Sequence, residues 1–91
     1  MGIEVSKVQI SEIWSISAQR IRAFFLSQND VRELEEDRFL YGSCAISLVP
    51  LPQRQLGRFS FTQTRVTFDG PESETAAIHR RFVLQFISAG G

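Results

Sequence analysis

Glu72-Ser73-Glu74-Thr75-Ala76-Ala77-Ile78-His79-Arg80-Arg81-Phe82-Val83-Leu84-Gln85-Phe86-Ile87 is the stretch on which the fold turns. Taken at a period of two, Ala76, Ile78, Phe82, Leu84 and Phe86 share a face that only Arg80 interrupts, and the aromatic and β-branched run from Phe82 to Ile87 suits a strand. Taken at the helical period, Pro71 stands near the start and Glu72 and Glu74 occupy the first turn. Ile78, Phe82, Val83, Phe86 and Ile87 then form a stripe, and Gly90-Gly91 closes the segment. Short apolar runs are decided better by side-chain type than by period, so a strand is expected, with a helix as the alternative.

Upstream, Asp69-Gly70-Pro71-Glu72 has the composition of a turn. Phe59 to Phe68 resembles a strand in residue type, but Phe59 and Phe61 lie on one parity and Val66 and Phe68 on the other. A bulge near Thr62 to Thr64, or burial on both faces, would reconcile them. Before it, Leu40, Gly42, Cys44, Ile46 and Leu48 alternate with Tyr41, Ser43, Ala45, Ser47 and Val49, a strand that Pro50-Leu51-Pro52 ends, leaving Gln53 to Gly57 as loop.

In the first third, Ile10, Ile13, Trp14, Ser17, Ile21, Phe24 and Phe25 recur at helical steps, with Ser11 placed to cap a helix from about residue 12 to 27. Val31 and Leu34 lie among five acids and suggest a short second helix or a frayed extension, while residues 3 to 10 alternate weakly, as an irregular edge strand would. The expected fold is a single α+β domain over residues 1–91, with one main helix packed on a three- to four-stranded antiparallel sheet.

Composition narrows the class. The chain has 91 residues, 43% of them apolar, which places it among folding globular domains rather than disordered chains. Ala23 to Leu26 and Phe82 to Leu84 are the longest apolar runs, far short of the ~20 residues that cross a bilayer. Met1 to Lys7 has neither a basic leader nor an apolar core, so a cytoplasmic location is expected. The formal charge is zero, yet residues 1–37 hold four basic and seven acidic side chains, and residues 38–91 hold six basic and three acidic. An acidic front therefore precedes a basic rear.

Chemistry-bearing residues are few. A nucleophile needs a base beside it, and nothing in the pattern brings Cys44 and His79 together. Cys44 falls on an apolar parity, where it acts as a small hydrophobe, and His79 falls on a face turned to solvent. Glu33, Glu35, Glu36 and Asp37 lack calcium-loop spacing. No enzyme activity, catalytic residue, metal or cofactor is expected. Arg54, Arg58, Arg65, Arg80 and Arg81 interleave with Phe59, Phe61 and Phe82, a mixture that nucleic-acid-binding sheets share, but the sequence pI of about 6.6 counts against it.

The favoured expectation is a non-catalytic protein-interaction module acting as a homodimer, because one helix cannot cover eight phenylalanines. Arg80, Phe59, Phe61 and Phe82 are the candidate interface residues, with Arg80 paired to Glu33, Glu36 or Asp37. Two alternatives stand beside it. One is a small-ligand cup between the helix and a curved sheet; the other is nucleic-acid contact through Arg54, Arg58, Arg65 and Arg81.

Overall fold

The computed structural model describes residues 6–89 and orders them as β1 (Lys7–Trp14), α1 (Ala18–Leu26), β2 (Arg32–Glu35), β3 (Arg38–Tyr41), β4 (Cys44–Pro50), β5 (Arg54–Leu56), β6 (Phe59–Phe61), β7 (Thr64–Pro71) and α2 (Glu72–Ala89). Residues 3 to 5 of the expected edge strand, and Gly90-Gly91, lie outside the described residues. The class is α+β, as expected, but two helices cover the sheet instead of one. Five antiparallel strands run in the order β1-β7-β4-β3-β2, and β5 pairs with β6 as a separate two-stranded ribbon.

The sheet has two unlike faces. Ile10, Phe68, Ile46 and Phe39 form one cross-strand row facing the helices, and Val66 beside Leu48 forms the next. Ser11, Thr67 and Ser47 form a row on the opposite face, where Ser11 and Thr67 share a 3.3 Å hydrogen bond between their hydroxyls. Ile21, Phe24 and Phe25 of α1 and Ile78, Phe82 and Phe86 of α2 complete the core. Phe82 is its centre: its ring stacks on Phe25 at 5.8 Å and meets Trp14 and Phe86 edge-on or tilted at 5.1 Å. Burying a ring of this size stabilises the fold by about 1.5–3 kcal/mol.

The expected strand over residues 72–87 is a helix. Thr75, Ile78, Phe82 and Phe86 are its buried stripe, while Ala76, Arg80 and Leu84, on the inward parity of a strand, face solvent. Arg80 explains the choice, since an unpaired guanidinium is too costly to bury and only the helical period turns it outward.

The expected helix over residues 12–27 divides. Its first three residues are the end of β1, in which Val8, Ile10, Glu12 and Trp14 point inward and Lys7, Gln9, Ser11 and Ile13 outward. Ser17, not Ser11, caps α1, its hydroxyl accepting from the Arg20 backbone N–H at 3.3 Å. The acidic run forms the β2–β3 hairpin rather than a helix. Its turn is held by Asp37, at φ +63°, whose carboxylate accepts from Nε and Nη2 of Arg22 at 2.8 and 2.6 Å. The expected strand from Leu40 to Val49 is cut by a turn at Gly42-Ser43. Gly42 has φ +59°, and a side chain there would strike the Glu74 carboxylate, which accepts the Ser43 backbone N–H at 3.0 Å.

Candidate interaction arm

Strands β4 and β7 pair from Ala45–Asp69 to Pro50–Thr64, and the Leu51 N–H then donates to the Gln63 carbonyl at 2.9 Å. Beyond that point the two strands leave the main sheet and continue as the β5–β6 ribbon. Pro50 and Pro52 explain the break, because neither can donate to a ladder. The ribbon closes on Leu56-Gly57-Arg58-Phe59, with Gly57 at φ +62° in the first central position, where tight hairpin turns favour glycine.

Arg54 pairs with Phe61 and Leu56 with Phe59, so these four side chains share one face of the ribbon, while Gln55 and Ser60 share the other. The apolar face lies open: Phe59 is 70% exposed, Leu56 62% and Phe61 41%. The other six phenylalanines, Phe24, Phe25, Phe39, Phe68, Phe82 and Phe86, are all buried. Ser15, Arg54, Leu56, Phe61 and Gln63 line an open recess of about 250 Å³ at the base of the arm. Arg54 and Arg58 make no ion pair among the described residues, and no carboxylate occurs from Arg38 to Phe68.

The sequence-derived candidates separate accordingly. Phe59, Phe61, Arg54 and Arg58 come together on the arm. Phe82 does not join them, because it fills the middle of the core, and Arg80 lies exposed on the outer side of α2. Arg65 is exposed on β7. Arg81 is engaged: its Nη1 and Nη2 donate to the two Asp30 oxygens at 2.8 and 3.1 Å, and its guanidinium lies 5.3 Å from the Tyr41 ring centre. That hydrogen-bonded pair lowers the Asp30 pKa and raises that of Arg81. The expected link between a rear arginine and a front carboxylate thus exists, but Arg81 makes it to Asp30, and Arg80 does not pair with Glu33, Glu36 or Asp37.

Cys44 is fully buried, and its burial pushes the thiol pKa up, away from the reactive thiolate. His79 is not on a solvent face. Its Nε2 lies 3.0 Å from Glu12 Oε1, which also accepts from Trp14 Nε1 at 3.0 Å. Burial raises the Glu12 pKa, but the hydrogen bonds from His79 and Trp14 outweigh it, so the carboxyl titrates below its ordinary range. The space where a ligand cup would form, between helices and sheet, is filled by Phe25, Phe68 and Phe82.

Leu56 escaped the sequence reading, which took Gln53 to Gly57 as loop. The usable signal was Leu56-Gly57-Arg58-Phe59 itself, a two-residue turn with glycine first between residues able to pair. Comparison with protein-family models, with curated proteins and with solved structures found no match.

Proposed function

We propose that this protein is a non-catalytic interaction module that self-associates through its β5–β6 arm. The observation that carries the reading is the open apolar face of Leu56, Phe59 and Phe61. An isolated two-stranded ribbon is marginal in water, and one that shows its aromatic side to solvent gains most of its stability from a partner. Exposed aromatics flanked by arginine are also the residue types that dominate protein interfaces. An excess of phenylalanine over what one helix can cover does not support a dimer, since α1, α2 and the sheet together bury six of the eight. The two that remain are those of the arm.

Phe59→Asp tests the reading. The wild-type chain should scatter light as a species heavier than 10.3 kDa, and the variant should return to that mass while keeping the wild type's circular dichroism spectrum. A wild-type mass of 10.3 kDa throughout a dilution series would remove self-association. Nucleic-acid contact remains the second reading, favoured by the carboxylate-free stretch around Arg54, Arg58 and Arg65. It requires a salt-dependent shift of a labelled single strand that Arg54→Glu/Arg58→Glu abolishes.

A further inference from the structure

The arm has a complement on the same chain. Strand β2 is one of the two edges of the five-stranded sheet, exposed along its whole length, and it carries Arg32, Glu33, Leu34 and Glu35, with Glu36 in the turn that follows, one basic and three acidic side chains. Leu34 is 46% exposed, an apolar side chain standing among carboxylates. Glu33 and Glu36 make no ion pair among the described residues, and Glu35 has only a 4.0 Å approach to exposed Arg38. The arm presents the inverse pattern: an apolar recess lined by Leu56 and Phe61, with Arg54 at its wall and Arg58 in the turn.

On the reading of the arm as the interaction surface, we infer that its occupant is the β2 edge of a second copy of this chain. Leu34 of one copy enters the recess of about 250 Å³ at the base of the other's arm. Glu33, on the helix side of the sheet, and Glu35, on the other side, then flank the edge within reach of Arg54 and Arg58, with Glu36 in the turn beside them. Charge complementarity selects this pairing over the alternatives: two arms brought together would oppose arginine to arginine, and two β2 edges would oppose glutamate to glutamate. The unpaired backbone of β2 adds to it, because a free edge strand accepts an extended segment readily.

Arm and edge are different surfaces, so the contact is head-to-tail rather than two-fold. Each copy keeps one free arm or one free edge until a ring closes, and assembly continues past the dimer. The homodimer expected from sequence gives way to a ring or an open chain.

A charge exchange tests this. Arg54→Glu/Arg58→Glu and Glu33→Arg/Glu35→Arg, each alone, oppose like charges at every arm–edge contact and should both scatter as 10.3 kDa. Mixed in equal amounts, they restore opposite charges between arm and edge, and the mixture should recover an assembly heavier than either parent. All substituted positions are exposed, and circular dichroism of each parent checks its folding. If the arm variant is monomeric while the edge variant still assembles, the inference is overturned and the arm keeps its role with another occupant. If both parents are monomeric and the mixture stays so, the pairing of arm with edge is likewise wrong. If the wild type is itself a monomer, the arm reading falls with it.

Discussion

Arg80 and Phe82 are two residues apart and face opposite ways, which makes them a direct measure of how the C-terminal segment folds. Phe82→Ala should cost about 3–5 kcal/mol in chemical denaturation, because it empties the space among Trp14, Phe25, Phe68 and Phe86. Arg80→Ala should stay within about 0.5 kcal/mol of wild type, as expected of an exposed side chain that makes no ion pair among the described residues. Equal losses in the two variants would contradict the helix. Glu12 gives a pH test. Its folded pKa lies below the ordinary value, so the stabilisation it supplies is complete above about pH 4.5 and is lost as the pH falls through the folded value. Glu12→Gln should flatten that acid limb while costing under about 1 kcal/mol at neutral pH, since the side chain is 38% exposed. An acid limb unchanged by the substitution would assign it to other carboxylates.

The elements differ in how openly the residues declare them. Strand alternation was plain from Cys44 to Leu48 because every inward residue there is apolar, and Cys44 is buried as its parity requires. In β1 the same alternation is hidden, because Glu12 occupies an inward position that hydrogen bonds from Trp14 and from His79, sixty-seven residues away, make tolerable. Local pattern could not supply a partner from α2, and the neighbouring Ile13 and Trp14 imitated a helical stripe. The same limit applies to α2, where aromatic and β-branched content argued for a strand while Arg80 argued silently for a helix. The change of parity between Phe61 and Val66 was a true signal with an incomplete meaning: it marks the place where the arm leaves the sheet. Because the arm's apolar face contributes nothing to the core, replacing residues 51–63 by a two-residue turn between Pro50 and Thr64 should leave the melting temperature within a few degrees of wild type and abolish assembly. A large loss of stability in that deletion would mean that the arm is a structural support rather than a contact surface.

For the whole molecule, the Cα radius of gyration is 14.4 Å, against about 12 Å for a compact chain of this length, and the principal dimensions are 60 × 27 × 23 Å. Its charges divide unevenly along the sequence, four basic and seven acidic residues before position 38, six basic and three acidic from there on. Arg81 and Asp30 satisfy one another within one copy, whereas Arg54 and Arg58 of the arm and Glu33 and Glu36 beside Leu34 make no ion pair among the described residues, so the proposed contact between copies should be sensitive to salt. The arm and β2 residues concerned are exposed, so their attraction is screened when the Debye length contracts from about 10 Å at 0.1 M salt to about 3 Å at 1 M. The proposed seating of Leu34 against Leu56 and Phe61 would be apolar and so not screened. The two contributions therefore divide between the rate constants. Raising the salt over this range should slow association by about tenfold or more, because steering is lost, and should change dissociation little. Stopped-flow light scattering after dilution or mixing measures both. An association rate indifferent to salt would leave an apolar contact without the charge pairing, and a dissociation rate that rises in step with the fall in association would mean that the ion pairs, not Leu34, hold the copies together.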